Sequence, residues 1–254
     1  MTDIIQRHSF ILEQIKQKGY VKVQELSEAL DVSEVTIRKD LKYLESKKAL
    51  QRNHGSATKL TSIISDKHID IKEKLQMDEK IRIAKYANGL LEANDKIIIA
   101  SGTTLLAFAN AIDIQENITV ITSSVKVSLA LCYNPNIEVI QLGGSIRKNS
   151  VSVIGHYAET ILTNLSCNKL FISVDGIDLE NGLSTSDVSE ARINQWMIEG
   201  SQRIIVLTDS TKFGKRGFCK ICDIDRVHQI ITDTNAPEHI VNRFREEGIE
   251  VTLV

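Results

Sequence analysis

VSEVTIRKDLKYLE, residues 32–45, is the stretch on which the reading of the N-terminal part of the chain turns. Wound as a helix, it places Ile37, Leu41 and Leu44 at i, i+4 and i+7 on one side. Val35, Lys39 and Lys42 then point nearly opposite, with Thr36 and Arg38 on the flanks. Ser33 stands where an N-cap belongs, with an oxygen to accept a first-turn N–H. The outward side is short-armed at its start and positive further along. A helix that reads DNA needs that order: side chains near its N-terminus reach base edges in the major groove while Lys and Arg neutralise the backbone alongside. An ordinary amphipathic helix with a solvated basic face shows the same pattern, so the flanking sequence has to decide.

Upstream, Ile4, Ile5, Phe10, Ile11, Leu12 and Ile15 recur at three and four residues until Gly19, which predicts a helix of about four turns. VKVQELSEAL (21–30), with Val23, Leu26 and Leu30, predicts a short second helix ending at Asp31–Val32. Downstream, KKALQRNHGSAT (47–58) alternates over Ala49–Arg52 and closes at Gly55, the pattern of a small basic β-hairpin, a wing. The expectation is a winged helix-turn-helix DNA-binding domain over residues 1–58 and a linker over 59–72. A helix follows from about Ile71 to Leu91.

Charge supports this division. The net charge of the 254 residues is −2. Residues 1–58 nevertheless hold ten Lys or Arg against eight Asp or Glu, and within 36–54 six basic residues face only Asp40 and Glu45. Positive charge is therefore local, as expected when one small element meets phosphates and the rest of the chain does not. A hydrophobic content of 42% is ordinary for a globular chain. No apolar run reaches the roughly 18–20 residues of a membrane span, and MTDIIQRHSF lacks the build of a secretion signal, so no membrane partner and a cytoplasmic location are expected. Four cysteines, Cys132, Cys167, Cys219 and Cys222, make no disulfide framework. The last two form a CxxC, but no second ligand pair completes a zinc site, so neither a metal nor a cofactor is expected.

From Asp95 onward, β-rich apolar runs at 96–100, 118–122, 137–142, 169–174, 203–208, 227–232 and 250–254 alternate with helical stretches at 104–111, 124–132, 156–165, 189–200 and 237–247. Near-continuous apolar strands separated by helices predict a mostly parallel α/β sheet covered on both faces, filling a second domain over 73–254. Ligands sit at the carboxyl ends of such strands. Several of those ends are polar or glycine-rich. SGTT (101–104) offers Ser101, Gly102, Thr103 and Thr104 ahead of a helix, a place for a phosphate, although a strand-to-helix turn with one glycine is also common architecture. Ser123 and Ser124 follow the second strand, Gly143, Gly144 and Arg147 the third, Asp175, Gly176 and Asp178 the fourth, and Asp209 and Lys212 the fifth. A cation, hydroxyls and carboxylates in one cleft suit a small phosphorylated sugar. Glu190 opens a helix and either reaches the cleft or complements the helix dipole; Trp196 suits core packing or a subunit contact.

VSEVTIRKDLKYLESKKALQRNHGSA resembles the signature of the DeoR family of repressors, VSxxTIRRDLxxLExxGxLxRxHGGA, densely over residues 5–58. Lys39 stands where the family has a second Arg, and Ser56 replaces its second Gly. The resemblance implies groove and backbone contacts from Ser33, Thr36, Arg38, Lys39 and Lys42, with Arg52 and His54 on the wing; His54 is equally suited to a plain turn. Residues 73–235 resemble the family's effector domain, which shares its fold with ribose-5-phosphate isomerase. This implies that SGTT and Lys212 hold the phosphate while Asp175 and the Gly143–Gly144 loop with Arg147 approach the sugar. Ala100–Ser101 stands where the family often has an Asp two residues before its GTT. VDGIDLENGLSTSDVSEARIN (174–194) resembles regulators of amino-sugar and related carbohydrate operons.

Two classes of function compete. The first is a DNA-binding repressor of a carbohydrate-utilisation operon, a dimer or tetramer on operator DNA, controlled by a phosphorylated sugar. The other is a sugar-phosphate isomerase-like enzyme with Asp175 as base. An isomerase has no use for a basic winged helix, and fold likeness transfers no chemistry, so a non-enzymatic regulator is the expectation.

Overall fold

The computed structural model describes residues 3–47, 49–53, 55–59 and 66–254, and the chain divides into two units, Met1–Ser62 and Ile63–Val254. The smaller runs α1 (Ile4–Lys18), β1 (Tyr20–Lys22), α2 (Val23–Leu30), α3 (Glu34–Ser46), β2 (Leu50–Asn53) and β3 (Ser56–Lys59). Gly19, at φ +79°, ends α1 in the left-handed conformation, its N–H bonded to the Ile15 carbonyl. Ser33 caps α3 by accepting from the Thr36 N–H at 3.2 Å. The expected faces meet: Ile11, Ile15, Leu26, Leu30, Ile37, Leu41 and Leu44 share one core with Leu50 and Ala57 of the wing.

Two details differ from the expectation. Tyr20–Lys22 is a third strand, pairing antiparallel with β3, because Val21 enters the core from an extended segment. Ile4 and Ile5, counted into the apolar stripe, are 52% and 70% exposed, since the first turn of α1 runs past the core it packs on.

The larger unit runs α4 (Ile69–Glu73), α5 (Met77–Asn88), β4 (Lys96–Ile99), α6 (Thr103–Ala111), β5 (Ile118–Thr122), α7 (Val125–Leu131), β6 (Ile137–Gln141), β7 (Ser145–Arg147) and β8 (Ser152–Ile154). It continues through α8 (His156–Leu162), β9 (Cys167–Ile172), β10 (Gly176–Asp178), β11 (Gly182–Thr185), α9 (Val188–Glu199), β12 (Ser201–Leu207), β13 (Cys219–Cys222), β14 (Gln229–Thr232), α10 (Glu238–Glu246) and β15 (Glu250–Leu253). All seven expected strands join one sheet in the order β15-β14-β12-β9-β4-β5-β6, every neighbouring pair parallel. Residues such as Ile97–Ile99, Leu170–Ile172 and Val206–Leu207 are fully buried because helices cover both faces.

The chain lays β5 and β6 on one side of β4, then returns to place β9 and the later strands on the other. The order therefore reverses between β4 and β9, and the loops leaving their carboxyl ends diverge, opening a crevice.

Two small additions were not anticipated: the β7–β8 hairpin and an antiparallel sheet of β10, β11 and β13. The helix expected over 71–91 is two helices, broken where Gln76 adopts φ +52°. Lys80 fastens the break: its ammonium donates to the carbonyls of Lys72 at 2.6 Å and Leu75 at 2.5 Å, at the end of α4. The segment assigned to the linker is, from residue 66, part of the larger unit. Ile69 is 3% exposed, and its N–H donates to the Asn149 carbonyl at 2.7 Å.

Burial pushes the Cys167 thiol up to about 11 and the Cys222 thiol to about 12, far from the thiolate that metals and electrophiles meet. Among the described residues no cluster of three or more His, Cys, Asp or Glu is placed to hold a metal, and no helix is long and apolar enough to cross a membrane.

Candidate functional site

The α3 surface carries the side chains that sequence assigned to DNA. Lys39, Lys42 and Arg38 are exposed, and Val35, which the assignment left out, is exposed beside them at 58%. Arg38 pairs with Glu34 one turn back, an exchangeable surface contact. Ser33 and Thr36 bond to each other through their hydroxyls at 3.0 Å at the helix start. Arg52 stands on the wing with its backbone N–H bonded to Glu45. His54 lies outside the described residues.

Beneath this surface, Asp40 is 4% exposed and hydrogen-bonds Arg7 and His8 of α1. Burial pushes its carboxyl up, but these two partners outweigh burial and hold it below the usual carboxylate range. His8 also stacks on Tyr43 at 5.1 Å. The pairing fixes α3 against α1, and therefore fixes which way its outer face points.

In the larger unit, the loops after β4, β9 and β12 line an open, polar cleft. Ser101, Gly102, Thr103 and Thr104 line it at the start of α6. Gly102 sits at φ +144°, and a Cβ there would lie 3.3 Å from the Ser173 Cβ, so only glycine lets this turn run close beside the one after β9. As N-cap it offers no side-chain acceptor, so the first N–H groups of α6 remain open to an anion.

Lys212 lines the same cleft from a short 3₁₀ turn. Asp209, 3% exposed, accepts from the Thr211 N–H at 3.1 Å, and Asp233 from the Ser210 N–H at 2.6 Å, so two buried carboxylates hold that turn. Among the described residues no carboxylate lies within ion-pair distance of the Lys212 ammonium. Lys80, 5% exposed, is a second cation of the wall; burial pushes its pKa down, with Asp209 opposing.

Asp175 lies 2.7 Å from the Lys72 ammonium and accepts from the Ser186 hydroxyl at 2.9 Å and N–H at 3.1 Å. Burial raises its pKa, yet Lys72 and Ser186 bring it below the usual range. Arg147 sits among Asp187 at 3.1 Å, Glu190 at 3.7 Å and Asp66. The Glu190 carboxyl stays above the usual range because burial exceeds what Ser150 and Arg147 contribute. Glu190 thus lines the cleft rather than merely complementing its helix.

Four assigned residues are not in the cleft wall. Ser123 is 2% exposed, packed under β8 with its carbonyl accepting from the Val153 N–H at 2.7 Å. Gly143 and Gly144 lead into the β7–β8 hairpin; a Cβ on Gly144 would stand 2.7 Å from the Ile154 carbonyl oxygen. Gly176 lets β10 pass the loop at Lys215, where a Cβ would come within 2.3 Å of backbone. These glycines shape supports, and the hairpin delivers Arg147. Conversely, Asp66, Lys72, Lys80 and Asn194 belong to the wall without having been assigned. Lys72 and Asp66 were hidden because nothing in an aperiodic connector indicates what it packs on.

Trp196 is half-buried against the core with Arg192 over its ring at 5.2 Å, and its indole N–H has no partner among the described residues.

A winged helix with a basic, exposed third helix, carried on one chain with an α/β unit whose switch-point cleft is polar, defines a DNA-binding transcription regulator with a sensor. Residues 7–62 match the DeoR-like helix-turn-helix domain and residues 75–234 the DeoR C terminal sensor domain. The chain is 35% identical over 256 residues to the "Putative aga operon transcriptional repressor" of Escherichia coli O157:H7, across all of this chain and 95% of that one. It is 34% identical over 251 residues to the "Uncharacterized HTH-type transcriptional regulator YulB" of Bacillus subtilis, across 99% and 97%. The full-length sorbitol operon regulator SorC from Klebsiella pneumoniae aligns over 95% of this chain and 99% of that one at 10% identity and a TM-score of 0.46. The chain belongs to the DeoR family and carries the helix-turn-helix and sensor domains of its DNA-binding transcription regulators.

Proposed function

We propose that this repressor controls a carbohydrate-utilisation operon and that a small phosphorylated sugar, bound in the cleft, changes its grip on operator DNA. One observation carries the reading. The open N-terminus of α6, with Ser101–Thr104, and the Lys212 ammonium, which no carboxylate of the described residues pairs, line one cleft at the switch point of the sheet. Open backbone N–H groups beside a cation suit a phosphate. Arg147 and Asp175 line the same cleft, each held by partners that a sugar hydroxyl would share or displace. The relative from E. coli O157:H7, named for the aga operon, supports an operon-level role.

DNA contacts are assigned to Ser33, Thr36, Arg38, Lys39, Lys42 and Arg52, with two or four copies of the chain reading repeated half-sites in the cytoplasm. Residues 66–73, where the chain comes from the DNA-reading unit, bond directly to cleft side chains through Asp66–Arg147 and Lys72–Asp175. A ligand that competes for Arg147 and Asp175 therefore acts on this arm, and the coupling between ligand and operator is reciprocal.

The test is a thermal-shift panel of triose, pentose and hexose phosphates on the full chain. At least one compound raises the melting temperature of the wild type by mass action, and Lys212→Ala loses that shift while keeping its own folded baseline. An intact shift in Lys212→Ala contradicts the phosphate assignment.

A further inference from the structure

Asn194 is a polar side chain of the cleft that nothing so far accounts for. It lies on α9 one turn after Glu190, is 7% exposed, and lines the cavity. None of the described residues hydrogen-bonds its amide, although an amide brings two donors and an acceptor with two lone pairs. The polar groups around it on the sugar side of the wall are engaged: Asp175 by Lys72, Thr185 and Ser186, Arg147 by its three carboxylates, and Glu190 by Arg147 and the hydroxyls of Ser152 and Thr185. The residue is mostly buried, yet its amide atoms, unlike the Trp196 indole N–H, are reached from the cavity, so they are open to hydrogen-bond whatever occupies it. The neighbouring Ala191, Ile193 and Met197 are apolar core, so this position alone turns a polar amide from that face of the helix to the cavity.

We infer that Asn194, with Glu190 one turn before it, is the subsite that reads the hydroxyl pattern of the ligand. The inference rests on the sugar-phosphate reading of the same cleft. A sugar hydroxyl both donates and accepts, so one hydroxyl donates to the Glu190 carboxylate or the Asn194 carbonyl oxygen while the amide NH₂ donates to a neighbour. Two such contacts on adjacent carbons distinguish epimers, because inverting one carbon leaves one of the two polar contacts unmade under a bound ligand. Phosphate binding belongs to α6 and Lys212. Asn194 thus decides which sugar is bound, and the phosphate groups decide that it is phosphorylated.

Isothermal titration of the full chain separates these roles. The probes are inorganic phosphate, glycerol 3-phosphate, ribose 5-phosphate and the 6-phosphates of glucose, mannose and galactose. Asn194→Ala is expected to weaken the best-bound sugar phosphate about tenfold and to flatten the differences among the hexose epimers. Inorganic phosphate should bind as in the wild type. Asn194→Asp, similar in shape but without the amide donors, should show the same selective loss, and melting curves of both variants report that the unit remains folded. Equal loss for sugar phosphate and inorganic phosphate, or no loss for either, overturns the subsite while leaving the phosphosugar reading intact. Failure of the wild type to bind any of the sugar phosphates overturns the phosphosugar reading itself, and the subsite with it.

Discussion

Single residues divide into those whose neighbours in sequence announce them and those whose partners lie far away. Ser33 and Thr36 belong to the first kind, because a cap and its first turn are three residues apart. Asp40 belongs to the second: its partners Arg7 and His8 are more than thirty residues distant, so in sequence it reads only as an acidic interruption of a basic stretch. Its role leads to a prediction. Since its folded-state carboxyl titrates below the ordinary range, the stability it contributes is present above the unfolded pKa and lost as pH falls through the folded one. Asp40→Asn should lower the melting temperature of the DNA-reading unit at neutral pH and make its stability less dependent on pH between about 5 and 3. A variant with an unchanged acid transition would show that the contact does not hold α3. Asn194 and Lys80 were also illegible, since an amide or a lysine at a helical position carries no mark of being buried.

At the scale of elements, the seven long strands and five of the interleaved helices were legible because each is a local apolar or periodic run. The β7–β8 hairpin and the small sheet of β10, β11 and β13 were not, because these segments carry no apolar run longer than two residues and exist through their pairing. Residues 66–73 form the element that the proposed coupling of ligand and operator runs through, by way of Lys72 and Asp175. Lys72 is 27% exposed at its side chain and Asp175 9%. Removing the lysine strands a mostly buried carboxylate, so Lys72→Met should destabilise the larger unit by roughly 1–3 kcal/mol, less than a fully buried pair would lose. Adding Asp175→Asn should recover part of that loss in a double-mutant cycle of urea melts, whereas simple additivity would show that the two groups do not interact.

For the molecule as a whole, fold class was readable because alternation of strand and helix leaves few topologies, and the switch point follows from strand order. The composition of the cleft was only half readable. Groups that follow directly from strands β4, β9 and β12 were found, but Ser123, Gly143, Gly144 and Gly176 were placed there by the same logic and instead support it from behind. A polar strand end indicates the rim, but only packing decides which rims share a cavity.

The central claim is that occupancy of the cleft alters operator affinity. Fluorescence anisotropy of the full chain on a labelled duplex from the promoter region beside its own gene, at one fixed salt concentration, measures it directly. Adding the sugar phosphate that stabilises the wild type should shift the apparent Kd about tenfold or more, and Lys212→Ala should bind the duplex with wild-type affinity yet show no shift. Identical binding curves with and without a saturating ligand would contradict the account.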